Sequence, residues 1–332
     1  PVTPPAATAE PQEEGAPQPE TGPSLALERR RHTRAWVTGG LAFALVATLV
    51  VAAGVGAMSI APSRVVAIVL HALGLSSAQP FAPQEATVLL QIRAPRVVLA
   101  ALVGGALGTS GVAMQGLLRN PLADAALIGV SSGGALAAAL CIVVGGSWMT
   151  SGLVGGLLGG SALSVAAFGG GLLSAIAVMR LGKADGKPSI SKVLLAGIGI
   201  NALAGAALGW LMYVADEGEL RTLTFWTLGG FGGARWSVVL AGAAPLLVCA
   251  IGVPLFSRAL NVMSLGERDA RHLGVRVEAV TRALVILVAL GVGASVAASG
   301  VIGFVGLVVP HLLRMALGPD HRGLGAPSAL LG

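Results

Sequence analysis

From Arg34 onward, apolar stretches of spanning length recur, separated by short loops that carry Gly, Pro and basic residues. A transmembrane helix needs about 20 consecutive apolar residues to cross the hydrocarbon core. The pattern predicts spans near 35–58, 95–116, 126–146, 152–180, 190–214, 237–257, 280–299 and 301–317, with a ninth beginning near 325. Between the first two spans, the apolar piece from Arg64 to Leu75 is too short to cross and is expected to lie along the outer surface. The predicted fold class is an all-α, polytopic membrane helix bundle surrounded by lipid. It forms one transmembrane domain over 34–332, preceded by a cytoplasmic tail over 1–33.

The tail is rich in Pro, Glu, Ala and Thr up to residue 28 and then carries Arg29-Arg30-Arg31. Too little apolar surface is present there to offset chain entropy, so disorder is expected. An acidic start without a cleavable apolar region does not read as a signal peptide. With the basic cluster inside, alternating spans put 16 Lys and Arg on the inner side, among them Arg119, Arg180, Arg276 and Arg314. Five fall outside: Arg64, Arg93, Arg96, Arg221 and Arg235. That asymmetry fits the positive-inside rule, and Trp148, Trp210, Tyr213, Trp226 and Trp236 fall near the outer interface as an aromatic belt would.

Composition narrows the function classes. Hydrophobic residues make up 55% of the chain and charged residues 11%, against about 25% charged in a soluble domain. The 49 glycines suit close helix approach in lipid. The net charge of +6 is dispersed beside apolar spans, without the basic stripe that nucleic-acid binding needs. Cys141 and Cys249 sit inside apolar stretches with no CxxC partner, so neither a disulfide framework nor a metal site is expected.

Catalytic motifs are missing as well. Around Gly182-Lys183 and Gly186-Lys187-Pro188-Ser189 the phosphate-loop pattern fails: Leu181 replaces its first Gly and Pro188 its Ser/Thr. No paired carboxylates lie mid-span, so the chain is not expected to be an enzyme or to bind a cofactor of its own. Nearly uncharged span centres disfavour a carrier driven by an ion gradient. Five histidines are scattered with no spaced partner, His71 being the least implausible as a haem ligand. Asn120-Pro121 reads as an N-cap followed by Pro at the first helical position.

One segment differs in kind. Ser264 to Val275 mixes acidic and basic residues between two glycines on the predicted inner side, and reads as a short exposed helix. It suits either a solvated loop or a protein-docking knob.

Several stretches together resemble the iron-complex and vitamin-B12 class of ABC-importer permeases. They are Arg93-Ala94-Pro95-Arg96, Gly111 with Gln115, Asn120 to Asp124, Leu127 to Val130, Leu265 to Val275, and Gly300 to Arg314. The likeness runs in order from about 35 to 332. It implies a ten-span subunit, of which the last one or two spans fall outside this sequence, in a bacterial inner membrane. It also implies a homodimer, two cytoplasmic ATPase subunits that supply ATP and Mg, and a periplasmic substrate-binding protein. Residues Leu265, Gly266, Glu267, Arg268, Asp269, Ala270, Arg271, His272, Leu273 and Gly274 match the segment that couples to the ATPase. Arg93 and Arg96 match the outer basic residues that meet the binding protein. Leu194, Ile198, Asn201 and Leu208 fall on the pathway-lining helix. Haem-importing members of the class are the most similar, which makes haem the expected cargo, with vitamin B12 or a ferric siderophore as the alternative.

Overall fold

The computed structural model describes residues 23–75, 80–145, 161–184 and 187–332. Residues 1–22 of the tail expected over 1–33, and Trp148, lie outside them. Among the described residues the chain is almost entirely helical. α1 runs Pro23–Gly54, so helix reaches back into the segment expected as tail. α2 (Pro62–Ala72) is the short outer piece; its Val65, Ala67 and Ile68 are buried, the first and last against Ala53 of α1 and Leu89. α3 spans Pro83–Leu117. Then follow a 3-10 turn at Ala125–Ile128, α4 (Val130–Val143), α5 (Ala162–Leu181), a two-residue antiparallel bridge pairing Lys183 with Pro188, and α6 (Ile190–Val214). The remainder comprises α7 (Glu217–Leu228), α8 (Trp236–Leu255), α9 (Ser257–Met263), α10 (Glu267–His272), α11 (Val277–Ser299), α12 (Val305–Leu317), a 3-10 turn at His321–Gly323 and α13 (Gly325–Leu331).

The core forms around α3, which is buried almost continuously from Val103 to Leu117. α8, α11, α12 and α13 pack on it, while α4 and α5 pack on each other and on α11. Glycines make the closest approaches possible. A methyl group at Gly108 would collide with the Ser328 carbonyl of α13, and one at Gly111 with the Gly306 carbonyl of α12. Small residues let helix backbones meet in lipid, where packing supplies most of the association energy.

Among the described residues, six of the predicted spans recur as helices of spanning length with shifted ends, whereas those near 126–146 and 301–317 correspond to shorter apolar helices. The largest correction is at α3, which starts twelve residues before the expected 95. The expected span begins at Pro95, yet the helix passes through that residue. Pro95 has no N–H to give, and residues Val88–Arg93 widen into π-helical turns ahead of it. Residues 152–160 of the span expected over 152–180 lie outside the described residues. α12 is 13 residues long, because 301–304 are non-helical and Phe304 is left-handed at φ 67°. Asn120 is not a helix N-cap; its side-chain oxygen accepts from the Leu122 N–H at 2.9 Å in a turn after α3.

Candidate functional site

The charged segment forms a small hook. α9 follows α8 directly, and α10 projects from it between Gly266 (φ 125°) and Gly274 (φ 82°). Those two conformations favour glycine, since a Cβ is strained there. The hook closes on itself: the Val275 N–H bonds the Ala270 carbonyl and the Gly274 N–H that of Arg271, both near 3 Å. Ala270 is its one fully buried side chain, set in the main core. Arg268, Asp269, Arg271, His272, Leu265 and Leu273 are exposed. Arg271 bridges Glu267 and Glu278, each at 3.2 Å, which ties the hook to α11. Two exposed leucines flanking charged residues on a protruding helix make a surface that another protein can grip.

Beneath the hook lies a polar cluster at its root. Asp320 accepts from Arg34 of α1 at 2.7 Å and from Asn261 of α9 at 2.6 Å. The Asn261 side-chain oxygen in turn receives the backbone N–H of His321 and faces its Nδ1, both at 2.9 Å. Burial works to raise the Asp320 carboxyl. The bonds from Arg34, Asn261 and the Arg322 N–H outweigh it and hold the group at about 2. His321 is pushed down to about 4, chiefly by burial and secondarily by the Arg314 charge. This cluster has no signal in the sequence, because its members lie 59, 60 and 286 positions apart.

On the opposite side the two candidate docking arginines part company. Arg93 is buried, and its guanidinium donates to the carbonyls of Ala53 (2.9 Å), Gly54 (2.8 Å) and Met58. It caps the end of α1, where helix carbonyls lack partners. Arg93 is therefore not presented to a binding protein, contrary to expectation. Arg96, one turn on, is exposed and donates to the Gly232 carbonyl at 3.1 Å.

The expected pathway residues also need correction. α6 packs through Val193, Gly197, Ala204 and Leu211. Asn201 lies beside that seam: its amide donates to the Ala126 carbonyl at 3.1 Å, and its oxygen receives the Ser132 hydroxyl. Leu208 packs on the cluster formed by Ala139, Leu211 and Leu223. Leu194 is half-buried, and of the four only Ile198 is exposed. The open face of α6 is instead the one carrying Leu195, Ala202, Leu203, Ala206, Trp210 and Tyr213, about one residue out of phase with the expected set. The signal available for this was the spacing of the small residues Gly197 and Ala204, which mark a packed seam. His71 lies edge-on to Phe81, with ring centroids 5.4 Å apart. Among the described residues, no group of three or more His, Cys, Asp or Glu could hold a metal ion.

Known proteins resemble this chain in sequence and in overall fold. The hemin transport system permease protein HmuU of Yersinia pestis is 46% identical over 249 residues, 73% of this chain and 70% of that protein. The vitamin B12 import system permease protein BtuC of Klebsiella pneumoniae is 36% identical over 315 residues, 93% of this chain and 87% of that protein. A solved inward-facing metal-chelate type ABC transporter superposes with a TM-score of 0.74 at 31% identity, covering 90% of this chain and 86% of that one. The profile of the FecCD transport family matches residues 44–332, and this chain, a multi-pass membrane protein built for transport, belongs to that family.

Proposed function

We propose that the chain is the permease subunit of an ATP-driven, binding-protein-dependent importer whose cargo is haem. Two copies form the pathway, two ATPase subunits grip the α10 hooks from the cytoplasm of a bacterial cell, and a periplasmic binding protein meets the outer face through Arg96. ATP and Mg belong to the ATPase, and haem is cargo rather than a resident group. Hydrolysis is supplied by the partner, so this subunit contributes the gate and the lever.

The observation that carries this reading is the hook: an exposed, two-glycine-bounded charged helix whose one buried side chain, Ala270, is set in the helix core. The greater likeness to a hemin permease than to the vitamin B12 permeases favours haem over a corrinoid. The test is uptake into proteoliposomes holding the full complex, with haem and vitamin B12 offered separately. Scrambling 264–275 should abolish ATP-driven uptake while leaving the subunit folded. Full uptake by the scrambled form overturns the reading, and preferential uptake of vitamin B12 overturns the cargo.

A further inference from the structure

The hook must pass force through its root, and that root is a short element. α9 has seven residues, and Gly266, at φ 125°, breaks the chain between it and α10. A seven-residue helix beside a glycine break would absorb a push unless something braces it. A side-chain network supplies that brace. Asn261, in the middle of α9, uses both halves of its amide: nitrogen to the Asp320 carboxylate, oxygen to the two donors of His321. This fixes the amide orientation and places the His321 proton on Nδ1. Asp320 uses both of its oxygens, one for Arg34 and the other for Asn261 and the Arg322 N–H.

The cluster therefore joins three elements that are distant in sequence. Arg34 brings in α1 and also lies over Gly323, where a methyl would come 2.8 Å from its Nε. The His321 ring lies against Gly116 at the end of α3, with 2.8 Å left between Nε2 and a methyl at that position. Charge-assisted bonds are shorter and stronger than neutral ones, and a network in which each member constrains the next resists distortion as a unit.

Resting on the importer reading, we propose that Asn261 and Asp320 are positioning residues for transport. They clamp the root of the hook to α1 and to the α12–α13 turn, so that a push on α10 moves α1, α3 and α13 together.

The test compares Asn261→Asp, Asp320→Asn and the double variant N261D/D320N in the assembled complex. N261D sets two carboxylates against each other, and the double variant restores a donor facing an acceptor. The readout is haem delivered per ATP hydrolysed, which a merely stabilising contact would not move. We expect basal ATP hydrolysis to persist, the ratio to fall several-fold in N261D, and the double variant to recover most of it. If N261D does not fold, D320N carries the same expectation of a fallen ratio. A second measurement needs no cargo: amide exchange over residues 32–40 should respond to a non-hydrolysable nucleotide in the wild type and lose that response in the single variants. An unchanged ratio together with a retained exchange response overturns the clamp. Absence of ATP-driven haem uptake by the wild-type complex overturns the importer reading instead, and the exchange response then decides the clamp.

Discussion

The indole N–H of Trp236 donates to the carbonyl oxygen of Leu90 at 2.8 Å, and Pro95 is the reason that oxygen is free. The Ala94 N–H, the ordinary α-helical partner of Leu90, bonds Leu89 instead. The next candidate donor is residue 95, a proline without an N–H. The tryptophan at the start of α8 thus satisfies a carbonyl orphaned by a proline on α3. Replacing Trp236 by Phe should cost about 1 kcal/mol, the usual net worth of one such bond. Combining it with Pro95→Ala should lower that cost, because an alanine N–H can take the carbonyl. Thermal unfolding of the two single variants and the double in detergent measures the coupling.

Arg93 and Arg96 should separate cleanly by assay. Arg93→Met removes the charged donor from the carbonyls of Ala53, Gly54 and Met58, of which Gly54 keeps the Ile60 N–H, and should destabilise the fold by about 3 kcal/mol. Arg96→Glu removes one exposed bond and should leave the melting temperature nearly unchanged. Its effect should instead be weaker stimulation of ATP hydrolysis by the binding protein. Charge reversal at an interface rim changes encounter rate and salt dependence more than fold.

The glycines of α3 should tolerate nothing larger. Gly111→Ala drives a methyl into the Gly306 carbonyl, and Gly108→Ala drives one into that of Ser328. Backbone atoms cannot rotate away, so each change must push α12 or α13 off α3. Loss of folded protein from membranes is the expected outcome. Gly199→Ala on α6, where a methyl meets no atom within 4 Å, should be accumulated and extracted like the wild type.

His321 gives the protein an acid sensitivity of defined sign. Its folded value of about 4 lies below its ordinary 6.5, so the unfolded chain takes up a proton that the folded one refuses. Stability therefore rises with pH across that window and is lost on acidification from 6.5 towards 4, by up to about 3 kcal/mol in all. Asp320, held at about 2 against its ordinary 3.8, has the opposite relation to its partner charges. Its contribution is present above 3.8 and is lost only as the pH falls towards 2. Melting temperatures of the wild type should drop between pH 7 and pH 5, and His321→Asn should flatten that drop.

Much of the architecture was legible because lipid imposes a one-dimensional rule. Each crossing must be a long apolar helix with its backbone satisfied internally. The ends of α6, α8 and α11 consequently fell within a few residues of expectation. The hook was equally legible, since a charged run bounded by glycines has no place inside the bilayer. The start of α3 was not, because proline normally marks a helix boundary, and only a π-helical stretch and a distant tryptophan allow the helix through.

What the sequence determined alone is the placement of most of the long apolar helices and the exposed charged segment at 264–275. These follow from hydrophobicity and charge, which are properties of consecutive residues. The tertiary structure decided what each polar group is for. Arg93 and Arg96 are three residues apart, yet one caps α1 across 40 positions of chain and the other faces solvent. Asn201 stitches helices together rather than lining the open face of α6, and Asp320 meets Arg34 across 286 positions. A hydrogen bond depends on direction and distance to a partner within about 3 Å, and no local pattern of residue types encodes which distant atom arrives there.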